Sequence, residues 1–248
     1  ELLVDGEPRQ YISRTLPVPL RTLDLSTAPD PEVQARQEAL RDASAPFDLA
    51  AGPLVRFTLI RIGPDRHVLL VAMHHLVSDD WSIGVLIRDV MRAYDGDTLP
   101  APRLQYRDFA SWQNARLDDD AAQTHREYWH NRLSGELPVL DLPADFPRPS
   151  VKTYRGRSVS SRIDEAGVLA LRALARGHQT TLFMVLLAAV KVLLHRYSSA
   201  TDIIVASPVA GRDHADLEDQ VGFYINTLAL RDHVRPDASF LGLLADVT

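Results

Sequence analysis

A short apolar run at residues 68–73 (Val-Leu-Leu-Val-Ala-Met) constrains the fold of this chain more than any other stretch. The run is continuous and follows the turn-like residues 63–65 (Gly-Pro-Asp), which favours a buried strand over an amphipathic helix. From Trp81 onward, apolar residues recur at helical spacing, and the polar residues 78–80 (Ser-Asp-Asp) precede them as a helix N-terminus prefers. The sequence therefore predicts a strand, a tight loop and a helix in direct succession.

Two adjacent histidines, His74 and His75, lie where this strand is predicted to end, and Asp79 follows the second by four residues. Neighbouring strand residues point to opposite faces, so the two imidazoles do not readily share one pocket or one metal ion. We expect one histidine to face a cavity and the other to face the scaffold. A histidine and a carboxylate at this spacing favour an acid–base site, although an isolated buried histidine is more commonly a packed core residue.

Residues 73–82 resemble the HHxxxDGxS signature of nonribosomal peptide synthetase condensation domains, a family related to chloramphenicol acetyltransferase. Four further blocks occur in the order and at about the intervals of that family. They are residues 46–49 (Pro-Phe-Asp-Leu) with 52–56 (Gly-Pro-Leu-Val-Arg), 106–113 (Tyr-Arg-Asp-Phe-Ala-Ser-Trp-Gln), 208–212 (Pro-Val-Ala-Gly-Arg) and 221–228 (Val-Gly-Phe-Tyr-Ile-Asn-Thr-Leu). The signature alone would be weak, whereas five blocks in order over nearly the whole chain are specific.

The resemblance implies an α/β fold of two lobes, as in chloramphenicol acetyltransferase, with mixed sheets flanked by helices. We expect residues 1–136 to form the N-terminal lobe, with its beginning missing. The segment 137–154 contains several prolines and is expected to be an extended linker. Residues 155–248 are expected to form the first part of the C-terminal lobe, so that the chain holds most of the first lobe and the start of the second.

Local patterns predict the individual elements. Helices are predicted at residues 31–43, 106–117, 121–133, 164–176 and 181–197, and strands at residues 54–62, 67–73, 157–163 and 203–209. The helix at 181–197 is strongly apolar, and its predicted buried stripe consists of Phe183, Leu186, Leu187, Val190, Leu193, Leu194 and Tyr197. Lys191 and His195 are expected at the solvated edge of that helix.

The family reaction implied by the resemblance is attack of an acceptor α-amine on a donor thioester, which yields an amide and a free carrier thiol. In the family, donor and acceptor arrive on the phosphopantetheine arms of carrier-protein domains, through a tunnel between the lobes. The resemblance therefore implies donor and acceptor carrier domains and a neighbouring adenylation domain as partners. It implies no cofactor and no metal bound by the domain itself.

Site residues follow from the match to the signature. His75 is expected to be the catalytic residue, either as the base or as a group that positions the amine, because imidazole changes its charge near neutral pH. His74 is expected to be structural. Asp79 is expected to pair with an arginine of the second lobe, for which Arg212 is the partner in this sequence, and to shape the loop rather than contact substrate.

The residues expected along the substrate pocket or tunnel are Asp80, Trp81, Ser82 and Asn226. Alternatively, Trp81 and Ser82 are packing and capping residues, and Asn226 only ends a strand. Asp80 stands where the family has glycine, so a charge lies close to the expected catalytic imidazole. It either intrudes on the tunnel or caps the helix that begins near Trp81, where the helix dipole favours an anion; we expect the cap.

Retention of His75 favours an active acyltransferase, and the Trp81-Ser82 continuation resembles the subtype that joins two L-configured residues. The expected setting is secondary metabolism, such as antibiotic or siderophore biosynthesis. Two alternatives stay open. One is a catalytically silent docking module that recruits a modifying enzyme, and the other is a stand-alone acyltransferase that uses coenzyme A.

Composition limits the remaining function classes. The sequence contains no cysteine, which excludes disulfides and thiolate catalysis and fits a cytoplasmic location. A net charge of −6 argues against nucleic acid as the main partner. No run of eighteen apolar residues occurs, so no membrane interaction is predicted.

Overall fold

The computed structural model describes residues 2–4, 6–117, 119–147, 149–151 and 156–247 of the chain. Its strands, numbered in chain order, are β1 (Leu2–Val4), β2 (Glu7–Arg9), β3 (Leu20–Asp24), β4 (Val55–Arg61), β5 (His67–Met73), β6 (Asp202–Val209) and β7 (Asn226–His233). Its helices are α1 (Pro31–Ser44), α2 (Asp80–Tyr94), α3 (Tyr106–Arg116), α4 (Asp120–Arg132), α5 (Glu165–Gly177), α6 (Leu182–Ser198) and α7 (Phe240–Val247).

A mixed sheet of β3, β4 and β5 carries the histidine pair, with β4 in the centre. β3 runs parallel to β4, whereas β5 runs antiparallel to it and places Met73 opposite Val55. Just beyond this pair, the backbone N–H of His74 donates to the carbonyl of Leu54 at 2.9 Å. The end of β5 is therefore anchored to β4, which determines where both histidines leave the sheet.

The predicted succession of strand, loop and helix is confirmed, since β5 ends at Met73 and α2 begins at Asp80. Asp79 is the N-cap of α2, in an extended conformation, and its carboxylate accepts a hydrogen bond from the N–H of Ser82. Such a bond satisfies one of the backbone donors that every helix start leaves free. The loop between strand and helix is therefore only six residues long, and it contains both histidines.

The chain divides into two compact units. The first consists of Glu1–Gln113 and Ala210–Ile225, and the second consists of Asn114–Val209 and Asn226–Thr248. β6 and β7 pair antiparallel within the second unit, while the segment that connects them along the chain belongs to the first unit. The lobe boundaries expected from the family resemblance stay a prediction for the complete domain.

The core of the second unit is formed by residues of α5, α6, α7 and the antiparallel pair of β6 and β7. Its buried residues are Ala175, Val185, Ala188, Ile203, Val234, Leu243 and Leu244. α6 contributes Val185 and Ala188 to this cluster, and β6 contributes Ile203.

Two predictions about the second unit are wrong. Residues 157–163 do not form a strand, and the side chain of Val159 is 95% exposed. A strand needs a neighbour to satisfy its backbone groups, and none of the described strands pairs with this segment. The alternation of apolar and polar residues in this segment was therefore not enough to predict a strand.

The predicted buried stripe of α6 is also wrong. Only Leu187 of that stripe is buried, whereas Phe183 and Tyr197 are more than half exposed. Lys191, expected at the solvated edge, has no exposed surface. His195 is half-buried, and its Nδ1 lies 2.8 Å from the carbonyl of Ala200.

Within 137–154, the described residues 137–147 and 149–151 form neither helix nor strand, while residues 148 and 152–154 lie outside the described residues. No single described helix is both long and apolar enough to cross a membrane. Only α5 and α6 taken together reach the required length and composition, and they are bent by 103°.

Candidate functional site

His74 faces the scaffold. Its Nδ1 accepts a hydrogen bond from the N–H of Leu76 at 3.1 Å, and its ring makes an edge contact with Phe47 at 5.9 Å between centroids. The guanidinium carbon of Arg56 lies over the ring of Phe47, 3.9 Å from its centroid. His74 is half-buried in this local packing.

His75 is exposed, and its ring is held by the tight loop that follows it. Its Nδ1 lies 2.6 Å from the carbonyl oxygen of Ser78. A carbonyl can only accept, so Nδ1 must carry the proton and donate. In the neutral imidazole this leaves a free lone pair on Nε2. The loop therefore selects the tautomer that can take up a proton at Nε2.

Asp79 is buried in the first unit and only 4% exposed. Its Oδ1 accepts from the N–H and the hydroxyl of Ser82 at 2.8 and 2.7 Å and from Arg212 Nη2 at 3.1 Å. Its Oδ2 accepts from the N–H of Tyr224 at 3.0 Å. One carboxylate thus caps α2, pairs with a guanidinium and holds the backbone of a distant loop.

The same contacts determine the charge of Asp79. Burial by itself would raise its pKa, but hydrogen bonds from Ser82, from the N–H of Tyr224 and from Arg212 outweigh burial and lower the pKa below its usual value. Asp79 is therefore ionised at neutral pH and forms a buried ion pair with Arg212. The pair predicted from the sequence is present in the structure.

Arg212 is as buried as its partner, with a side chain 1% exposed. Its Nη1 donates to the carbonyls of Leu217 and Gln220, and its guanidinium carbon lies 4.1 Å from the ring centroid of Tyr224. The preceding Gly211 has a φ of +63°, and a Cβ there would collide with the carbonyl of Tyr224. Glycine therefore allows the chain to turn and bring Arg212 to Asp79.

Ser82 was expected along the substrate pocket, but its side chain has no exposed surface. Its Oγ accepts from the N–H of Gly222 at 3.0 Å and from Arg212 Nη2 at 3.0 Å. It also lies within donating distance of Asp79 and of the carbonyl of Gly222. A hydroxyl saturated by protein groups cannot line a pocket, so Ser82 is a structural residue.

Residues 2–248 match the family model described as Condensation domain. The chain belongs to the condensation domain family. It is 43% identical over 242 residues to a plipastatin synthase of Bacillus subtilis (strain 168), covering 98% of the chain and 9% of that protein. It is 41% identical over 244 residues to tyrocidine synthase 3 of Brevibacillus parabrevis, covering 98% and 4%. These relatives are nonribosomal peptide synthetases, of which this condensation domain spans a small part.

Solved structures support the same assignment. The complex of the X-domain and OxyB from teicoplanin biosynthesis matches with a TM-score of 0.86 and 26% identity, over 96% of this chain and 54% of that one. A four-domain nonribosomal peptide synthetase bound to AMP and glycine matches with a TM-score of 0.80 and 28% identity, over 94% and 18%. The first condensation domain of the calcium-dependent antibiotic synthetase, with a substrate analogue, gives 0.68 and 27%, over 93% and 52%. The predicted α/β condensation-domain fold is confirmed.

Asp80 does not cap α2 in this condensation domain, because Asp79 occupies the capping position. Asp80 is instead the first helical residue and is exposed, and the dipole favours its charge there. Trp81 donates from Nε1 to the carbonyl of Glu218 at 2.8 Å. Asp80 and Trp81 line a cavity of about 380 Å³. The other residues that line it are Gly84, Val85, Arg88, Glu218 and Asp219.

Asn226 belongs to the second unit, as the first residue of β7. It is exposed, and its side-chain oxygen accepts from the N–H of Thr227 at 2.8 Å. This contact fits the strand-end alternative, and a role for Asn226 in the substrate pocket stays a prediction.

Sequence reasoning missed the loop residues that complete the site. Phe223 contacts the ring of His75 with a centroid distance of 5.1 Å and an interplanar angle of 85°. The hydroxyl of Tyr106 donates to the carbonyl of Phe223 at 2.9 Å. Both residues fall within recognised family blocks, but their contact joins positions 117 residues apart. Membership of a block was the only available signal.

Proposed function

We propose that this condensation domain forms an amide bond between a carrier-bound acyl or peptidyl thioester and the α-amine of a carrier-bound amino acid. The observation that carries the proposal is the bond between His75 Nδ1 and the Ser78 carbonyl, which leaves Nε2 free to accept a proton. His75 is also exposed in the described part of the domain. Membership of the condensation domain family supports the reaction class.

In the proposed reaction, the amine nitrogen attacks the thioester carbonyl carbon and gains positive charge as the C–N bond forms. His75 Nε2 accepts a proton from that nitrogen, the C–S bond breaks, and the proton passes to the leaving carrier thiolate. The products are an amide and a free thiol. A correctly placed general base typically contributes about 10²- to 10⁴-fold to the rate.

Carrier-protein domains are the proposed partners on both sides of the reaction, with their phosphopantetheine arms as part of the substrates. An adenylation domain is the proposed source of the activated amino acid. We further propose that donor and acceptor are both L-configured, because residues 81–82 (Trp-Ser) resemble that subtype. This finer assignment rests on the resemblance alone.

The test is single-turnover amide formation with loaded donor and acceptor carriers, using the natural polypeptide that contains this domain. His75→Ala should lower the rate by about 10²- to 10⁴-fold with little change in carrier binding or melting temperature. His67→Ala is the matched control, because His67 is an exposed histidine at the other end of β5. Near-normal turnover by His75→Ala would remove this residue from the mechanism.

A second function is a silent docking module. Two observations favour it: Asp80 stands in the glycine position of the signature, and the X-domain that was solved with OxyB is structurally similar. Under this alternative, the wild-type protein and His75→Ala would give the same background rate in the carrier assay. A rate difference of tenfold or more, about 1.4 kcal/mol in barrier height, would exclude it.

A further inference from the structure

Two contacts restrain the ring of His75. The first is the hydrogen bond from Nδ1 to the carbonyl of Ser78. With Nδ1 held by a single hydrogen bond, small rotations about χ1 and χ2 can still tilt the ring, and such a tilt moves Nε2. The second contact is the ring of Phe223, which stands nearly perpendicular to the imidazole at 5.1 Å. It blocks the remaining motion on one side, in the T-shaped arrangement that aromatic pairs prefer.

Phe223 is itself held by residues on either side of it. Its carbonyl accepts from the hydroxyl of Tyr106 at 2.9 Å. The N–H of the preceding Gly222 donates to the buried Ser82 hydroxyl at 3.0 Å, and the N–H of the following Tyr224 donates to Asp79. The backbone of three consecutive residues is therefore held within the first unit, which fixes the point from which the Phe223 side chain extends towards His75.

We infer that Phe223 is a positioning residue that keeps Nε2 of His75 aimed at the acceptor amine. The inference rests on the proposed function, because it gives His75 the catalytic role. Misplacement of a reacting group by about 1 Å can cost on the order of 10²-fold in rate, so restraint of the ring affects turnover directly. The buried ion pair of Asp79 and Arg212 would then act on the reaction through Phe223, rather than through contact with substrate.

The neighbouring histidine provides the matched comparison. His74 has its own phenylalanine, Phe47, in a similar T-shaped contact. Substitution of Phe47 removes a ring from a structural histidine, whereas substitution of Phe223 removes a ring from the reacting one. If aromatic packing in general matters, substitution of either phenylalanine should lower the rate. If positioning of the reacting histidine matters, only substitution of Phe223 should lower it.

The experiment compares Phe223→Leu, Phe223→Tyr, Phe47→Leu and His75→Ala in the natural polypeptide that contains this domain. We expect Phe223→Leu to lower kcat by about 10- to 100-fold, with KM for the loaded acceptor carrier within about twofold of wild type. Phe223→Tyr restores a ring and should return kcat to within about threefold of wild type. Phe47→Leu should leave the kcat of the folded protein similarly close to that of wild type.

A spectroscopic measurement separates positioning from packing. With ¹⁵N-labelled histidine, the ring nitrogen signals of His75 report how the proton is shared between Nδ1 and Nε2. Phe223→Leu should broaden or shift these signals, and Phe223→Tyr should restore them. Unchanged kcat and unchanged His75 signals in Phe223→Leu would overturn the inference while the loss of activity in His75→Ala still supports the proposed function.

Further results would overturn either the proposed function or the inference about Phe223. Normal turnover by His75→Ala would overturn the proposed function itself, whatever the Phe223 variants show. If Phe223→Leu does not fold, Phe223→Met serves as the second variant, because methionine fills apolar space flexibly. If neither variant folds, Phe223 is a packing residue and the inference fails. An equal fall in kcat in Phe47→Leu would likewise assign the effect to general packing.

Discussion

At the residue scale, the first unit depends on the acceptor atoms of Asp79. Its two carboxylate oxygens accept from Ser82, Arg212 and Tyr224. Asparagine has a similar shape but presents an amide N–H₂ in place of one acceptor oxygen. Either Arg212 or the N–H of Tyr224 would then face a donor, so the carboxylate is required for more than helix capping.

Asp79→Ala should lower the free energy of unfolding by about 3–5 kcal/mol, because it leaves the buried guanidinium of Arg212 without a counter-charge. Urea unfolding followed by circular dichroism measures this loss. Asp80→Ala is the control: it removes the neighbouring exposed carboxylate, and it should cost only about 0.3–1 kcal/mol of dipole stabilisation. Similar losses for both variants would show that the Asp79 network does not stabilise the domain.

The residues of this network differ in how well the sequence predicted them. The signature led to His75, to Asp79 and to its pairing with Arg212. It did not lead to Phe223 or to the hydrogen bond between Asp79 and Tyr224, which joins residues 145 positions apart. Helical and strand periodicity describes local geometry only. The contacts of the irregular loop that contains Phe223 and Tyr224 could therefore be identified only in the structure.

At the element scale, prediction succeeded where local signals were strong. α2, α5 and α6 each begin one residue after a side chain that accepts a hydrogen bond as N-cap: Asp79, Asp164 and Thr181. Capping residues signal a helix start directly in the sequence. The strand predicted at 157–163 lacked such a signal and depended on a pairing partner, which explains why it failed.

For α6, the sequence correctly predicted the helix but not which of its sides is buried. It carries apolar residues on all sides, so periodicity could not identify which side faces the core. The buried side contains Lys191, whose Nζ donates to the carbonyl of Leu230 at 2.9 Å and pairs with Asp232. Arg132 also pairs with Asp232, at 3.1 Å. A charged residue is thus as fully buried as Ala188 on a helix where the sequence offered many apolar alternatives.

Lys191→Met should therefore destabilise the second unit by about 3 kcal/mol, at the lower end of the cost of breaking a buried pair, because Arg132 still neutralises Asp232. Thermal and urea unfolding both measure this loss. Arg196→Met, an exposed substitution on the same helix, should change stability by no more than about 0.5 kcal/mol. Equal stability of Lys191→Met and wild type would show that the buried pair contributes nothing.

At the scale of the whole molecule, each compact unit is built from two separate segments of the chain. Arg212 and Phe223 lie in the region expected to start the second lobe, yet both belong to the same unit as His75 and Asp79. The strands that flank this segment, β6 and β7, belong to the other unit. A division of the sequence at its proline-rich stretch could not reveal that Ala210–Ile225 belong to the first unit, because no local sequence pattern indicates it.

Among the described residues, four aspartates spread over both units have a lowered pKa, which makes the stability of the fold sensitive to acid. Hydrogen bonds from Ser26 lower the pKa of Asp24, and backbone N–H groups of Ala51 and Ala50 lower that of Asp48. Hydrogen bonds from Arg231 lower the pKa of Asp202, and the network described above lowers that of Asp79. Each carboxylate releases its proton more readily in the folded state than in the unfolded state.

The sign of the pH dependence follows from these shifts. An unfolded aspartate titrates near pH 3.9, and a group whose folded pKa is lower stabilises the fold fully above that value. As the pH falls through about 4 and below, the unfolded state binds more protons and this stabilisation is lost. The free energy of unfolding should therefore decrease steadily below about pH 4, when measured by urea unfolding at a series of pH values.

Asp202→Asn separates this effect from general charge repulsion at low pH, because it removes one linked carboxylate from the second unit. Its stability at pH 7 should be lower than that of wild type, but its further decrease in acid should be shallower. Asp237→Asn is the matched control, since it removes the same charge at an exposed position, and its acid slope should follow wild type. Identical acid slopes for all three proteins would show that repulsion among the 27 lysines and arginines, rather than the paired carboxylates, governs acid unfolding.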